Sequence, residues 1–267
     1  NPLGTNPSMR DSLWDGLTDQ HAKTPMGVTA ENLAEQYNIS RQECDEFAIR
    51  SQQTWAKAKE NGVFDLEIAP VEVKPTKKNP NPFVDTDEHP RPSSTFEKIN
   101  SLPPVFKKEG GVVTAANASG ICDGAGSIIL ASEEAVVQHD LTPLARIAST
   151  HVSGCEPTIM GIGPVEAIRG ALEQCANGTT LGSMDRVEIN EAFAAQCLAC
   201  AKELDIDMDK FNVNGGAIAL GHPLGASGSR IMAHLAHNFS VHPQHNLTVG
   251  AACIGGGQGI AIVLERA

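Results

Sequence analysis

Aromatic residues are scarce: eight Phe, two Trp and one Tyr make up 4 % of the 267 residues. The interior must therefore be filled by small and aliphatic side chains, which with 25 glycines suits an α/β protein with close helix–strand packing. No run of about 18 apolar residues exists, so no membrane span is expected. A basic excess is also missing. Lys and Arg total 20 against 32 Asp and Glu, a net charge of −12, which argues against a general nucleic-acid surface. An anionic small ligand would need a local cluster of positive charge, for which Arg91, Lys77, Lys78, Lys107 and Lys108 are the candidates. The opening Asn1-Pro2-Leu3-Gly4-Thr5-Asn6-Pro7 has neither an initiating Met nor a charged region leading into an apolar one, so no signal peptide is visible. Seven cysteines without regular spacing give no disulfide framework and fit a reducing compartment. Nucleotide loops are disfavoured too. A Walker motif is absent, and at Gly255-Gly256-Gly257-Gln258-Gly259 Ile260 stands where a dinucleotide fingerprint needs its last glycine.

Residues 11–62 read as helical. Ser40-Arg41-Gln42-Glu43 has the form of a capping box, Cys44, Phe47, Ala48, Ser51 and Trp55 follow at helical spacing, and Gly62 is a C-terminal stop. From Pro70 to Pro104 the composition turns to Pro, Asn, Asp and Lys, an irregular excursion with short strands such as Val71 to Val73. Ser127 to Ala131 reads as a buried strand, with a helix from Glu133. Strands at Leu144–Ser149 and Val187–Ile189 then alternate with helices opened by Pro164 and near Ala192, and a helix from Ser227 to Asn238 buries Ile231 and Leu235. Two final strands, Leu247–Ala252 and Ile260–Glu265, are joined by the glycine-rich turn. There is no internal repeat. Cys197 and Cys200 form a C-x-x-C, but inside a helical segment with no second Cys pair, so they read as small buried residues rather than a metal set.

Three segments can carry chemistry. Asn190-Glu191-Ala192-Phe193 puts a polar group at a strand end, just before a helix. Gly221-His222-Pro223-Leu224-Gly225 and Cys253-Ile254-Gly255-Gly256-Gly257-Gln258-Gly259 each place a reactive side chain on a glycine-rich turn, where a ligand can approach the backbone. Read singly, each has a plainer meaning: Asn190 as a helix cap, His222 as a hydrogen-bonded turn residue, Cys253 as a small buried one. Together, an amide, an imidazole and a thiol suit acyl chemistry.

Taken in order with the longer run Asn212 to Gly225, these motifs closely resemble the thiolase family, and within it the mitochondrial 3-ketoacyl-CoA thiolases. The resemblance extends over essentially the whole chain, through Gly16-Leu17-Thr18-Asp19, Met26 with Thr29-Ala30-Glu31-Asn32, Pro104-Val105-Phe106, Asn117-Ala118-Ser119-Gly120 and Met160-Gly161. It implies a layered αβαβα fold when complete, here lacking most of the N-terminal core domain. Residues 1–120 would form a partly helical loop domain that contacts coenzyme A, 121–141 a remnant of the N-terminal core, and 142–267 the C-terminal core domain. The implied reaction is thiolytic cleavage of a 3-oxoacyl-CoA by CoA to acetyl-CoA and a shortened acyl-CoA, as in fatty-acid β-oxidation, reversible as a Claisen condensation. CoA is then a substrate, with no further cofactor and no metal. A homodimer or homotetramer in the mitochondrial matrix is implied as well.

Position by position, His222 resembles the histidine that activates a nucleophilic cysteine and, with a water held by Asn190, binds the thioester oxyanion. Cys253 resembles the acid/base thiol that moves a proton at the α-carbon of acetyl-CoA, and the Gly255 amide a donor to a second oxyanion. Arg91, Ser119, Leu17, Met26, Phe106, Ala115, Met160 and Phe193 match positions lining the CoA or acyl tunnel; for the apolar ones core packing is the plainer reading. The chemistry asks for these types independently: a soft nucleophile, a proton shuttle and fixed oxyanion donors. A thiol near a protonated histidine can have its pKa lowered enough to serve.

Two departures matter. None of Cys44, Cys122, Cys155, Cys175, Cys197 or Cys200 sits in the context of the family's acyl-carrying cysteine. We therefore expect that a further segment of roughly a hundred residues, from usual domain sizes, precedes Asn1, and that these 267 residues alone form no acyl-enzyme. Pro25 stands where biosynthetic acetoacetyl-CoA thiolases tend to carry histidine, which tilts toward the degradative group. A decarboxylating ketosynthase would use a second histidine in place of Cys253. A non-catalytic CoA-binding or dimer-forming module is the other reading, separable by titrating with CoA while assaying thiolysis.

Overall fold

Local capping sets the first helices. The computed structural model describes residues 11–77 and 80–267, so Lys78 lies outside the described residues. Asp11 accepts the amides of Leu13 and Trp14 at the head of α1 (Ser12–Gly16), and α2 (Met26–Gln36) follows. α3 (Arg41–Glu60) opens on the expected capping box: the Ser40 amide donates to the Glu43 carboxylate at 2.7 Å, and the Glu43 amide to Ser40 Oγ at 3.2 Å. The excursion that follows carries β1 (Val71–Glu72) paired antiparallel with β2 (Phe83–Val84), then α4 (Phe96–Asn100) and, further on, α5 (Glu133–Gln138).

The remainder alternates strand and helix: β3 (Ala145–Gly154), a 3₁₀ turn over Pro157–Ile162, α6 (Gly163–Glu173) with Pro164 in its first turn, β4 (Arg186–Ile189), α7 (Ala194–Leu204), α8 (Ala217–Leu220), α9 (Ser227–Val241), β5 (Leu247–Ile254) and β6 (Gln258–Arg266). Among the described residues the main sheet runs β3-β6-β5-β4, with β4 parallel to β5 and β6 antiparallel to both its neighbours.

Alternation along the strands decides which helix covers which face. Val249, Ala251, Ala261 and Val263 point into the large core with Ile168 and Ala171 of α6 and the alanines and cysteines of α7. Ile262 and Leu264 point the other way, onto Ile231, Leu235 and Phe239 of α9. Gly250 lies under Ile231 and Leu235, where any side chain would collide with them. Leu33 and Ala34 of α2 and Phe47 and Ala48 of α3 join the same core as α7. Each fully buried Leu, Ile or Phe there contributes on the order of 1.5–3 kcal/mol.

One expected element does not form. Ser127–Ala131 is coil, with Ile129 89 % and Leu130 70 % exposed. A strand holds only when a neighbour takes up its N–H and C=O groups, and among the described residues no strand pairs with this run. The helix after Asn190 begins later than expected, with Phe193 at its N-cap, so Asn190 is not its cap.

Candidate active site

The register of β4 on β5 brings the first two polar groups together. Ile189 stands opposite Ala251, and the Asn190 amide donates to Ala251 O at 2.9 Å. Cys253 lies two residues further along β5, so Asn190 and Cys253 leave the same end of the sheet. Cys197 of α7 links them: its thiol donates to Asn190 O at 3.8 Å and interacts electrostatically with Cys253. Beyond Cys253 the hairpin turns at Gly257, whose φ of +79° and close approach to the Cys155 carbonyl leave no place for a side chain. The Cys155 amide donates to Gly257 O at 2.7 Å, which fixes the turn.

The third group arrives from the other side. The His222 amide donates to Gly120 O at 2.7 Å, holding the turn after Gly221 (φ +90°) against residues 120–122. Its ring lies between two partners, Nδ1 2.7 Å from Ser227 Oγ and Nε2 3.3 Å from Asn190 Nδ2. Asn190 Oδ1 is buried and has no partner. A buried carbonyl oxygen left unpaired is costly, and such an acceptor beside a histidine has the geometry of a seat for a water, which can donate to it.

Asn190 is held rigidly from behind. Asn212 accepts the Ile189 amide at 3.0 Å and donates to Ile189 O at 2.9 Å and to Glu191 Oε1 at 3.0 Å. The Glu191 carboxylate, fully buried, also accepts Ser51 Oγ of α3 at 2.6 Å and the Ile218 amide at 3.1 Å. Burial pushes its pKa up, against the pull of those three donors. Gly216 packs directly on this carboxyl. The motif's Asn190 and Glu191 thus divide the work: one faces the site and the other ties β4 to α3 and the 212–218 loop.

The surroundings set the protonation states of the thiol and the imidazole. Burial pushes Cys253 up to about 12, and neighbouring Cys155 adds to the shift. No cation is among the causes of that shift. Cys253 is a proton donor in its resting form. His222 is lowered from its ordinary value near 6.5 by burial and by the positive charge of Arg230, which keeps it neutral at pH 7.

Several residues expected to line the tunnel gather near these groups. Met26 lies beside Gly255, where an added methyl would stand 3.5 Å from its Cε. Its amide donates to Leu17 O at 2.9 Å. Gly27 lets the Phe106 ring lie on α2, and Phe106 meets Phe193 edge-on with centroids 6.5 Å apart. Leu17, Met26, Phe106 and Phe193 are partly exposed, and so is Cys253 as a residue, although its thiol is desolvated by the atoms packed around it. Ser119 sits alongside, its amide and Oγ both donating to Ala192 O, at 3.0 and 3.1 Å. Met160 is buried instead, in the 3₁₀ turn beneath α2. Ala115 is exposed. Arg91 turns its guanidinium onto the carbonyls of Glu88, His89 and Pro90 at 2.7–2.9 Å, on the surface. Lys107 pairs with Glu35 at 3.4 Å, while Lys77 and Lys108 are exposed.

Sequence reasoning passed over three contributors. His89 bonds Ala219 O at 2.8 Å and lies over Gly120 and beside Gly221, supporting the His222 turn. Glu31 accepts the amides of Val112 and Val113 at 2.8 and 3.0 Å, which anchors the segment leading to Ser119. Ser227 stands only five residues after His222, and a turn at Pro223 brings it back to the ring; the Pro and the helix that follows were its signal. For Glu31 the adjacent Ala30 and Asn32 were a signal, since all three stand in a stretch of family resemblance.

Comparison with known proteins identifies the family. The model of the thiolase N-terminal domain matches residues 3–134 and that of the thiolase C-terminal domain residues 141–266. The chain belongs to the thiolase family. It is 58 % identical over 264 residues to the mitochondrial 3-ketoacyl-CoA thiolase of Bos taurus, covering 99 % of this chain and 65 % of that protein, and equally to the one of Rattus norvegicus. The crystal structure of human mitochondrial 3-ketoacyl-CoA thiolase superposes with a TM-score of 0.95 at 56 % identity, and that of the same enzyme in complex with CoA at 0.93 and 55 %. Each match covers all of this chain and 66 % of the solved one. The chain spans about 65 % of the length of the curated relatives it matches.

Proposed function

We propose that this chain supplies the proton-transfer and oxyanion-binding part of a thiolase site that cleaves 3-oxoacyl-CoA with CoA, yielding acetyl-CoA and an acyl-CoA two carbons shorter. The observation that carries this reading is Asn190 Nδ2 3.3 Å from His222 Nε2, with Asn190 Oδ1 buried and unpaired, at the sheet end where Cys253 emerges. In the proposed sequence, neutral His222 takes the proton of an acyl-accepting thiol. The thiolate adds to the C3 carbonyl, the C2–C3 bond breaks, and the electron pair left on C2 takes the Cys253 proton to give acetyl-CoA. The Gly255 amide faces the thioester oxygen that carries charge at that step. The thiol of incoming CoA then gives its proton to the Cys253 thiolate and attacks the acyl carbonyl, and the displaced enzyme thiolate regains its proton from protonated His222.

We place the acyl-accepting thiol outside these 267 residues. Cys44, Cys197 and Cys200 are buried, Cys175 is bonded to Ala171 O and Ser149 Oγ, Cys155 bonds Met160 O, and burial raises Cys122. The isolated chain is then expected to bind CoA without turnover, the behaviour of the CoA-binding module weighed above. The partly exposed Leu17, Met26, Phe106 and Phe193 suit an acyl chain, and Arg91 and Ser119 the polar part of CoA. Residues 1–120, 121–141 and 142–267 act in this reading as loop domain, core remnant and C-terminal core. The mitochondrial relatives support a mitochondrial matrix setting and the degradative direction, with a homodimer or homotetramer as the working assembly.

The test is thiolysis by the full polypeptide that carries this chain, followed as acetyl-CoA release from a 3-oxoacyl-CoA and CoA. Replacing Cys253 by Ser should remove most of the turnover, and formation of the acyl-enzyme from a 3-oxoacyl-CoA in a single round should fall with it, because the C2 carbanion then lacks its proton donor. Unchanged turnover in Cys253→Ser, or acyl transfer onto Cys122 by the 267 residues alone, refutes the scheme.

A further inference from the structure

His222 is useful as a base only if its Nε2 carries the lone pair, and an imidazole has no intrinsic reason to choose that arrangement; the bond to the other nitrogen chooses it. The partner here is Ser227, the first residue of α9, buried and 2.7 Å from Nδ1. A serine hydroxyl has one proton and two acceptor positions. Ser227 Oγ also stands 3.2 Å from the Pro223 carbonyl, which can only accept. When the hydroxyl proton goes to Pro223 O, which it shares with the amides of Ala226 and Ser227, the oxygen accepts from the ring and Nδ1 bears the hydrogen. The opposite end of the ring agrees. Asn190 presents its amide nitrogen to Nε2, which is a bond only when Nε2 accepts, and it leaves Asn190 Oδ1 unpaired toward the site. All donors thus run one way, from Asn190 to Nε2 and from Nδ1 through Ser227 to Pro223.

We infer that Ser227 is a positioning residue for the reaction: it fixes the δ-protonated form of His222 and its ring orientation, so that the Nε2 lone pair, which accepts from Asn190 at rest, is the one that takes a thiol proton. The inference rests on the thiolysis reading but is testable apart from it. Ser227 touches no reacting atom in this arrangement and acts only through the imidazole. Its place follows from the fold. Pro223 O accepts the amides of Ala226 and Ser227 at 2.7 and 3.0 Å, so the chain closes a tight turn between His222 and α9, and residue 227 returns under the ring.

The experiment is ¹⁵N NMR of the histidine-labelled full polypeptide, with thiolysis kinetics alongside. Wild type should give His222 as the δ tautomer at neutral pH. Ser227→Ala should move the population toward the ε tautomer and lower kcat by about 10–100-fold, part of what a well-placed base contributes, with KM within about twofold. Ser227→Thr, which keeps the hydroxyl, should restore both. A wild-type ε tautomer overturns the inference without any variant having to fold, as does an unshifted tautomer in Ser227→Ala or a shifted one with full kcat. Undiminished thiolysis in His222→Ala strikes instead at the functional reading, whatever tautomer the spectrum shows.

Discussion

Asn212 offers the sharpest test of how the site is held. Its side chain makes three buried hydrogen bonds, to the amide and the carbonyl of Ile189 and to the Glu191 carboxylate, and its backbone takes the left-handed φ of +43°. Asn212→Ala removes two neutral bonds at about 1 kcal/mol each and one to a charged group at about 1.5–3 kcal/mol. Alanine in the left-handed region adds about 1 kcal/mol, so the loss should be about 5 kcal/mol. That is a large share of a typical folding free energy of about 5–15 kcal/mol, and at about 2–4 °C per kcal/mol it lowers Tm by about 10–20 °C. Asn212→Gly separates the contributions: it loses the same bonds but accepts the backbone, and should be more stable than the alanine variant by up to about 1 kcal/mol. Urea unfolding and thermal melts read both numbers. A loss under about 1 kcal/mol in Asn212→Ala would show that the three bonds are replaced by water, and that β4 and Asn190 do not depend on them.

Asn190→Ala in the full enzyme should lower kcat by about 10²–10³ with a modest change in KM, the usual cost of one oxyanion donor; near-normal turnover contradicts its assignment. Because burial and Arg230 lower His222, the acid limb of kcat/KM should fall below its ordinary value near 6.5, and a limb above 7 argues for a different base. His234 shifts oppositely. Burial pulls it down, but the charge of Glu188 and the 2.8 Å bond to Glu67 outweigh that and raise it, with Arg230 opposing and Asn214 on its other nitrogen. A raised folded pKa contributes stability that is complete below about 6.5 and is lost as pH rises through the folded value. The stability gap between wild type and His234→Gln should therefore narrow as pH rises above 6.5, and a gap constant from pH 6 to 9 counts against the ion pair.

Patterns of neighbouring residues determined much of this protein. The box at Ser40 and Glu43, the stop at Gly62, Pro164 in a first turn and the hairpin around Gly257 are local matters, and each was legible because its cause lies within a few residues. The motifs around Asn190, His222 and Cys253 were legible too, since glycines and polar groups at chain reversals show that a backbone is being made to present something. Tertiary structure alone decided the rest. Ser127–Ala131 has the apolar, β-branched makeup of a strand, yet a strand depends on hydrogen bonds to a neighbour, which its own residues cannot supply. Cys253 carries no mark of its high pKa, because that is a property of the atoms packed around it. Whether Glu191 is a catalytic acid or a strut depends on Ser51, 140 residues away. Sequence specifies the side chains and the short-range geometry that offers them. Distance and solvent exclusion, which set hydrogen-bond partners and proton affinities, come into being only when remote segments are packed together.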